Sequence, residues 1–338
     1  MAKHRDILIV GATVEGICSA IALDATGRSV ELVEAEPPPM LTGALPVDGV
    51  GPAGPGVALV GNAIRALDTL GLARACISRG AAIETTCMHR LDGTLLKTVP
   101  ARPEAGPGLP PMLGILRDDL VGVLLAAAIE RGISVTASRA VAAIEQRADW
   151  VAVTFSDGSS AEYDGVVAAD GIRSVMRPML FGDLGKPEAT GQSSWRYTLP
   201  RLDDLEGSHL YFSPDGSKVG LVPLRNDLMD LFLNVNQAEP VATTPLDEQL
   251  REHLAPFGDL IAEVRDDIRG ADRVNWRPYE VVNLPSPWFD RRVIVIGDAA
   301  HATTSHLKQS EALAIEDAVV LGEELASNDE IPDAFQAF

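Results

Sequence analysis

The chain is poor in cysteine, in aromatic residues and in basic charge, and each shortage narrows its chemistry. Its 338 residues include only three cysteines, Cys18, Cys76 and Cys87, with no CxxC spacing. An odd, unpatterned set argues against a disulfide framework and for a reduced, cytoplasmic protein. Lysine and arginine number 28 against 48 aspartates and glutamates, a formal charge of −20. Such a surface repels a phosphate backbone, so nucleic acid is not an expected partner. The sequence has no apolar run of the roughly 18 residues a spanning helix needs, so no stable membrane insertion is expected. The opening Met1 to Asp6 is not followed by a signal-peptide core, which also points to the cytoplasm. His301 and His306 lie close without a third ligand, and His89, His209 and His253 are scattered; no metal site is expected from such spacing. No Gly-x-Ser-x-Gly elbow occurs and no nucleophile stands out, which suits a protein whose cofactor carries the hard chemistry.

What is present is an apolar fraction of 46%, enough for one large domain or two ordinary ones. Ile7 to Val10 is a short, continuously apolar stretch that reads as a buried strand. Gly11-Ala12-Thr13-Val14-Glu15-Gly16 follows, then Ile17 to Leu23, which fits a helix of small and apolar residues. Gly27 punctuates, and Ser29 to Glu34 makes a second strand ending in a carboxylate. A β-α-β unit with an acid about twenty residues on is the arrangement of a dinucleotide site. Residues 37–56 are rich in Gly and Pro and read as loop. Helices are expected over Asn62 to Leu72 and Leu120 to Ile129, and strands at Ser134 to Thr136, Val151 to Phe155 and Asp164 to Ala169. Between about 185 and 290 strand-like runs prevail: His209 to Phe212, Gly220 to Leu224 and Met229 to Leu233. Near the C-terminus, Val293 to Ile296 is a β-branched strand running into Gly297-Asp298, with a helix after it.

Gly11 and Gly16 permit a tight turn and let the helix aim its free N–H groups at a pyrophosphate. Thr13 stands where a second glycine is usual; its Cβ narrows the approach, while its hydroxyl suits a phosphate oxygen. Glu34, with Glu36 a weaker choice, suits an adenosine ribose; the alternative is an ordinary turn with a solvated acid. Asp298 falls at a strand end, where open α/β sheets collect ligands. A carboxylate there suits polyol hydroxyls, or else forms a turn or cap. Asp170, before Gly171, has the same two roles open. Arg173 and Arg177 are either a surface pair or a tie to the cofactor domain. Arg117 is either a salt bridge beside Asp118 and Asp119 or a donor toward the cofactor.

Taken together, these motifs resemble the FAD-dependent aromatic hydroxylases, single-component flavoprotein monooxygenases with the p-hydroxybenzoate hydroxylase fold. Gly11 to Gly16 with Glu34 resembles the family's FAD-ADP site, and Asp164 through Asp170-Gly171 to Arg177 its central Asp-Gly motif. Gly297-Asp298-Ala299-Ala300-His301 with Glu316-Asp317-Ala318 resembles its Gly-Asp motif, whose Asp holds the ribityl chain. Arg117 matches an arginine that touches the FAD. The resemblance implies an α/β fold: a Rossmann-like FAD-binding domain (residues 1–75, 111–183 and 287–338) with an inserted, mainly β substrate domain (76–110 and 184–286). It implies FAD as cofactor, NADPH or NADH as transient reductant, and hydroxylation through a flavin C4a-hydroperoxide. The partner would be a small aromatic or polyketide-like substrate, and a homodimer stays open.

The chain departs from the family in the loop after His301. Relatives commonly carry proline at the place of Ser305 and glycines around Lys308-Gln309-Ser310, where this loop, Leu307 and Lys308 included, faces the flavin. Glu311 would add negative charge there, and residues 41–56 lack an arginine common in the family. A weakly active or non-catalytic descendant, and a different FAD-dependent oxidoreductase or epoxidase, are therefore alternatives. For the substrate pocket the candidates are Trp195, Tyr211, Leu221, Phe232 and Ser305, with core packing the competing role for the apolar ones. His209 and Tyr211 are weak candidates for a base, and no catalytic residue is assigned.

Overall fold

The computed structural model describes residues 5–36, 55–203, 205–225 and 227–338. The Gly/Pro-rich stretch expected to be loop, including the positions that lack the family's arginine, lies almost wholly outside the described residues.

Three sheets organise the chain. The largest contains five parallel strands in the order Val293–Val295, Ser160–Ala168, Arg5–Val10, Val30–Val33, Ser134–Thr136. A short antiparallel strand, Phe289–Asp290, covers one edge, and the hairpin of Val141–Gln146 and Val151–Phe155 extends from Ser160–Ala168. Buried on both faces, Ile7 to Val10 and Val293–Val295 read as continuous apolar runs. Ile7 and Ile9 point into a core shared with helices Val14–Ala25, Arg117–Glu130 and Ser310–Ser327. Leu8 and Val10 point the other way, into a core shared with the hairpin. The fold is thus α/β with a Rossmann-like sheet and a separate β-rich region.

That second region is a seven-stranded sheet in the order Asn275–Val281, Glu188–Pro200, Leu228–Val235, Lys218–Arg225, Ser208–Phe212, Thr85–Arg90, Leu95–Pro100. A third, three-stranded sheet of Gly56–Val60, Met112–Leu116 and Ala81–Ala82 lies between the two larger ones. Because side chains alternate along a strand, the seven-stranded sheet has two distinct faces. Trp195, Tyr197, Tyr211, Leu221, Leu231 and Leu233 fill one face and pack on helices Leu246–Leu254 and Asp259–Arg265. Ser194, Arg196, Leu210, Lys218, Val222, Asp230 and Phe232 line the other, where the cavity lies.

The pocket expectation therefore fails for Trp195, Tyr211 and Leu221, each fully buried in the far-face core. The apolar bulk that looked like a ligand cavity covers the helices, and the residues one step along each strand face the cavity. Phe232 alone of the four strand candidates is on the cavity side.

Gly114 joins the small sheet to the large one. A Cβ there would stand 1.9 Å from the Pro223 carbonyl oxygen and 3.3 Å from Ile83 Cδ1, so a methyl group must force two backbones apart. We expect Gly114→Ala to destabilise the protein by about 1–3 kcal/mol and to lower its melting temperature by several degrees, read by circular dichroism; an unchanged melting curve would show that the two sheets part freely.

Candidate cofactor and substrate site

The strands Arg5–Val10, Ser160–Ala168 and Val293–Val295 end at the same edge of the parallel sheet. From there the chain enters, in turn, helix Val14–Ala25, the Asp170 loop and the Asp298 turn. Strand order reverses beside Arg5–Val10, and such a switch point is where an open α/β sheet takes its ligand. A cavity of about 750 Å³ opens there, walled on its far side by the seven-stranded sheet. That volume suits a small-molecule site.

Gly11 sets the shape of this edge. Its φ is +107°, and a Cβ would lie 2.3 Å from the Ala169 carbonyl oxygen, so only glycine lets the turn close on the neighbouring strand. Thr13 caps the helix that follows. Its hydroxyl accepts from Gly16 N–H at 3.1 Å and donates to Ala169 O at 2.9 Å. Glu34 closes the same turn, accepting from Ala12 N–H at 2.7 Å and from Glu36 N–H at 3.0 Å. Thr13 borders the cavity, while Glu34 sits beside the turn rather than on the cavity wall.

Asp170 takes the turn-forming role. One oxygen accepts from Val175 and Met176 N–H at 2.7 and 3.0 Å, fixing the loop into helix Met176–Phe181. The other is buried without a hydrogen-bond partner, although Asp170 and Gly171 border the cavity. Arg177 ties this loop to the Gly-Asp turn, donating to Ile172 O at 3.0 Å and to Ala299 O at 2.8 Å. Arg173 instead pairs with Glu280 at 2.7 Å, bridging toward the seven-stranded sheet.

The Gly-Asp turn hangs on Asp317. Its carboxylate accepts from Gly297 N–H at 2.9 Å and contacts His301 Nε2 at 2.6 Å. Burial is the largest single influence on His301 and lowers its pKa, but the hydrogen bond and charge of Asp317, with the charge of Asp298, together outweigh it and the net shift is upward. Held this way, Asp298 presents its carboxylate to the cavity with no hydrogen-bond partner among the described residues. Desolvation, and then the charge of Glu311, raise its pKa. Beside it lies Glu15, fully buried and pushed up to about 7, chiefly by desolvation and then by Asp298. Also lining the cavity, Arg117 pairs with Glu311 at 3.4 Å. Arg117 thus faces the cavity and makes a salt bridge, though to a partner 194 residues away rather than to its neighbours.

The far half of the cavity is cationic. Arg196 is matched by Asp230 at 2.9 Å, and the pair holds Gly56 through its N–H and carbonyl. Lys218 and Lys308 have no such match among the described residues. Lys308 Nζ meets only Met112 Sδ at 3.5 Å, and Lys218 Nζ lies 5.7 Å from the Phe232 ring centroid. Burial and the neighbouring cations push Lys308 down to about 8, and burial lowers Lys218 as well. Lys308 also adopts the left-handed backbone region, φ +57°, a conformation costly for a side chain. Ser305 borders the cavity and hydrogen-bonds Tyr279. Leu307 does not reach it: the side chain is 78% exposed, because the loop turns it to the surface as it turns Lys308 inward. Sequence reading missed Glu15, Arg196 and Lys218. An acid inside the glycine turn, and cations alternating with apolar residues along strands, were the signals for them.

Fold and cavity together define a dinucleotide-binding α/β protein with a β-rich ligand wall. Residues 4–329 match the family model described as "FAD binding domain", and the chain belongs to that family. It is 32% identical to 2-heptyl-3-hydroxy-4(1H)-quinolone synthase of Pseudomonas aeruginosa over 93% of this chain and 79% of the relative. It is 29% identical to 3-hydroxybenzoate 6-hydroxylase 1 of Aquipseudomonas alcaligenes, covering 95% of this chain and 81% of that one. Among solved structures it is similar to Klebsiella pneumoniae HpxO complexed with FAD and uric acid, with a TM-score of 0.85 and 22% identity over all of this chain and 84% of that chain. The fold is that of FAD-binding monooxygenases.

The residues present fit FAD. Asp298 offers a free carboxylate, the N-terminus of Val14–Ala25 opens on the cavity, and Asp170 holds a buried oxygen in want of a donor. The acids that would oppose an anionic cofactor are masked, Glu15 by its proton below about pH 7 and Glu311 by Arg117.

The Glu15 shift has a consequence for stability. Its folded pKa, about 7, lies above the usual 4.5, so the folded state holds its proton more tightly than the unfolded state. Stability is therefore lost as pH rises from about 4.5 through about 7, where the unfolded acid ionises freely and the buried one resists. Glu15→Gln should leave the melting temperature unchanged at pH 4.5 and raise it at pH 8; an equal effect at both would show that Glu15 is not the group responsible.

Proposed function

We propose that the chain is an FAD-dependent monooxygenase that uses NADPH or NADH and O₂ to hydroxylate an aromatic molecule carrying a negative charge. The observation that carries the choice of substrate is the pair of half-buried ammonium groups, Lys308 beside Met112 and Lys218 beside Phe232, which have no acidic partner among the described residues at the far end of the cavity. Supporting the reaction class are the family, the fold and the relatives named above. The overall change would be R–H + O₂ + NAD(P)H + H⁺ → R–OH + H₂O + NAD(P)⁺. Bound FAD would accept hydride equivalents and activate oxygen; the protein's share is binding, orientation and exclusion of water.

Asp298 would accept hydrogen bonds from the polyol chain of the cofactor, and the N–H groups of the first helical turn would receive its pyrophosphate. Arg117 would exchange its Glu311 partner for the cofactor or hold both. Lys308 and Lys218 would receive a carboxylate or an acidic phenol, with Phe232, Leu210 and Val222 against the ring. Removing a buried charge-assisted partner costs about 1.5–3 kcal/mol, or roughly 10- to 100-fold in affinity.

The test is an absorption spectrum of the protein titrated with FAD, followed by NAD(P)H oxidation with aromatic acids and their methyl esters. We expect a yellow complex, oxidation stimulated by acids and not by esters, and a product one oxygen heavier. Lys308→Met should raise KM for the acid about 10- to 100-fold with little change in FAD affinity. Because the Lys308 ammonium loses its proton near pH 8, acid binding should weaken above that pH, and the variant should flatten the dependence. FAD affinity should fall above about pH 7 as Glu15 ionises, and Glu15→Gln should remove that fall. A colourless protein that ignores added FAD would end the proposal, and esters that work as well as acids would end its substrate class.

A second reading, a chain that holds FAD without turnover, is favoured by Glu311, which adds a carboxylate to the cavity and occupies Arg117; FAD binding with no substrate-stimulated NAD(P)H oxidation would select it.

A further inference from the structure

Three side chains that look scattered in sequence meet on the far face of the seven-stranded sheet. Strands Thr85–Arg90 and Ser208–Phe212 pair in parallel, with His209 opposite Cys87 and Tyr211 opposite His89. Alternation therefore puts Cys87, His89 and His209 on one face, while Leu210 faces the cavity. Cys87 Sγ and one nitrogen of each imidazole all lie within 4.8 Å of one another. Among the described residues this is the one cluster of its kind.

The protons on the two rings can be counted. His89 Nδ1 is 3.1 Å from Gly93 O, and His209 Nε2 is 3.2 Å from Glu206 O. A carbonyl oxygen only accepts, so each of those nitrogens carries the hydrogen. In a neutral imidazole the other nitrogen is then a bare lone pair. Those two nitrogens, His89 Nε2 and His209 Nδ1, face each other at 3.1 Å. Two lone pairs do not sit in contact without something positive between them. A proton would serve, but the Cys87 sulfur, within 4.8 Å of a nitrogen of each ring, offers a third donor, and three converging donors are what a metal ion uses. Carbonyls that accept from the remote N–H are also what orients metal-binding histidines.

We propose that Cys87, His89 and His209 bind one zinc ion. Zinc takes imidazole nitrogen at about 2.0 Å and thiolate sulfur at about 2.3 Å in a tetrahedral array. Tetrahedral angles then set the two nitrogens roughly 3.3 Å apart and each about 3.5 Å from the sulfur. The nitrogen separation of 3.1 Å needs only a slight opening, and the sulfur, within 4.8 Å of the ring nitrogens, closes on the ion by a rotation of the Cys87 side chain. Thr98 Oγ1, 3.6 Å from Cys87 Sγ, is placed to donate to the thiolate. His89 is buried, while Cys87 and His209 are half-exposed, so an ion has access and water can take the fourth position. The junction it would clasp is the parallel one in an otherwise antiparallel sheet, and parallel pairing is the weaker kind. The ion lies across the sheet from the cavity, which makes it a clamp on the edge strands rather than part of the oxygenation chemistry.

The test uses the full-length protein, stripped with chelator, dialysed, and titrated with zinc against a chromophoric competitor at pH 7.5. We expect one zinc per chain, a higher melting temperature with zinc than with chelator, and a zinc-edge absorption spectrum with one sulfur in the first shell. Cys87→Ser should weaken binding at least tenfold and remove the sulfur signal. His209→Gln should abolish stoichiometric binding, and His253→Gln should leave it unchanged. FAD binding, measured in the same samples, should be indifferent to zinc, so failure of the oxygenase reading would leave this result standing. Substoichiometric zinc, a shell of nitrogen and oxygen alone, or equal affinity in the wild type and the Cys87→Ser and His209→Gln variants would overturn the proposal in favour of a proton shared by the two rings.

Discussion

The site depends on one close approach, that of the Gly11 backbone to the Ala169 carbonyl. It brings two neighbouring parallel strands to a common edge and then sends the chain away from each in a different direction. Thr13 reinforces the contact by donating to the same carbonyl while capping the next helix. A side chain at position 11 would push the turn off the strand beside it. The Asp170 loop and the Asp298 turn would then no longer face each other across the crevice. Asp317 completes the arrangement from a third length of chain, holding Gly297 and His301 together.

The two ends of the cavity handle charge in opposite ways. At the parallel-sheet end, carboxyl groups crowd one another, and a proton on Glu15 and the Arg117–Glu311 pair relieve the crowding. At the β-wall end, ammonium groups crowd one another and nothing in the described protein relieves them. Desolvated charge without a partner is costly, and Lys308 adds a left-handed backbone to that cost. The cavity is thus polarised end to end, with a carboxylate at Asp298 and ammonium groups at Lys308 and Lys218.

Much of the nucleotide-type half could be read from the sequence, because its signals are local. The strand Arg5–Val10, the glycine turn and the strand ending near Glu34 follow one another within 30 residues, and each has its own periodicity or turn residue. The Gly297-Asp298 turn was legible for the same reason. The β wall was not. Apolar residues such as Trp195 and Leu221 announce a buried face but not which of two buried faces. Only the packing of helices Leu246–Leu254 and Asp259–Arg265 decides that the bulky residues turn away from the ligand and that Arg196 and Lys218 turn toward it. The ion pair of Arg117 with Glu311, and the meeting of Cys87, His89 and His209, depend on long-range pairing that spacing along the chain does not encode.

The order in which the ligand walls occur along the chain has a consequence for how the protein is made. The glycine turn is synthesised first, the β wall after it, and the Asp298 turn with its Asp317 anchor later still. Strand Val293–Val295 must join the already formed Ser160–Ala168 before the crevice has its third side. During synthesis the nascent polypeptide thus carries a dinucleotide-type half-crevice that stays open until residues 293–317 have been made.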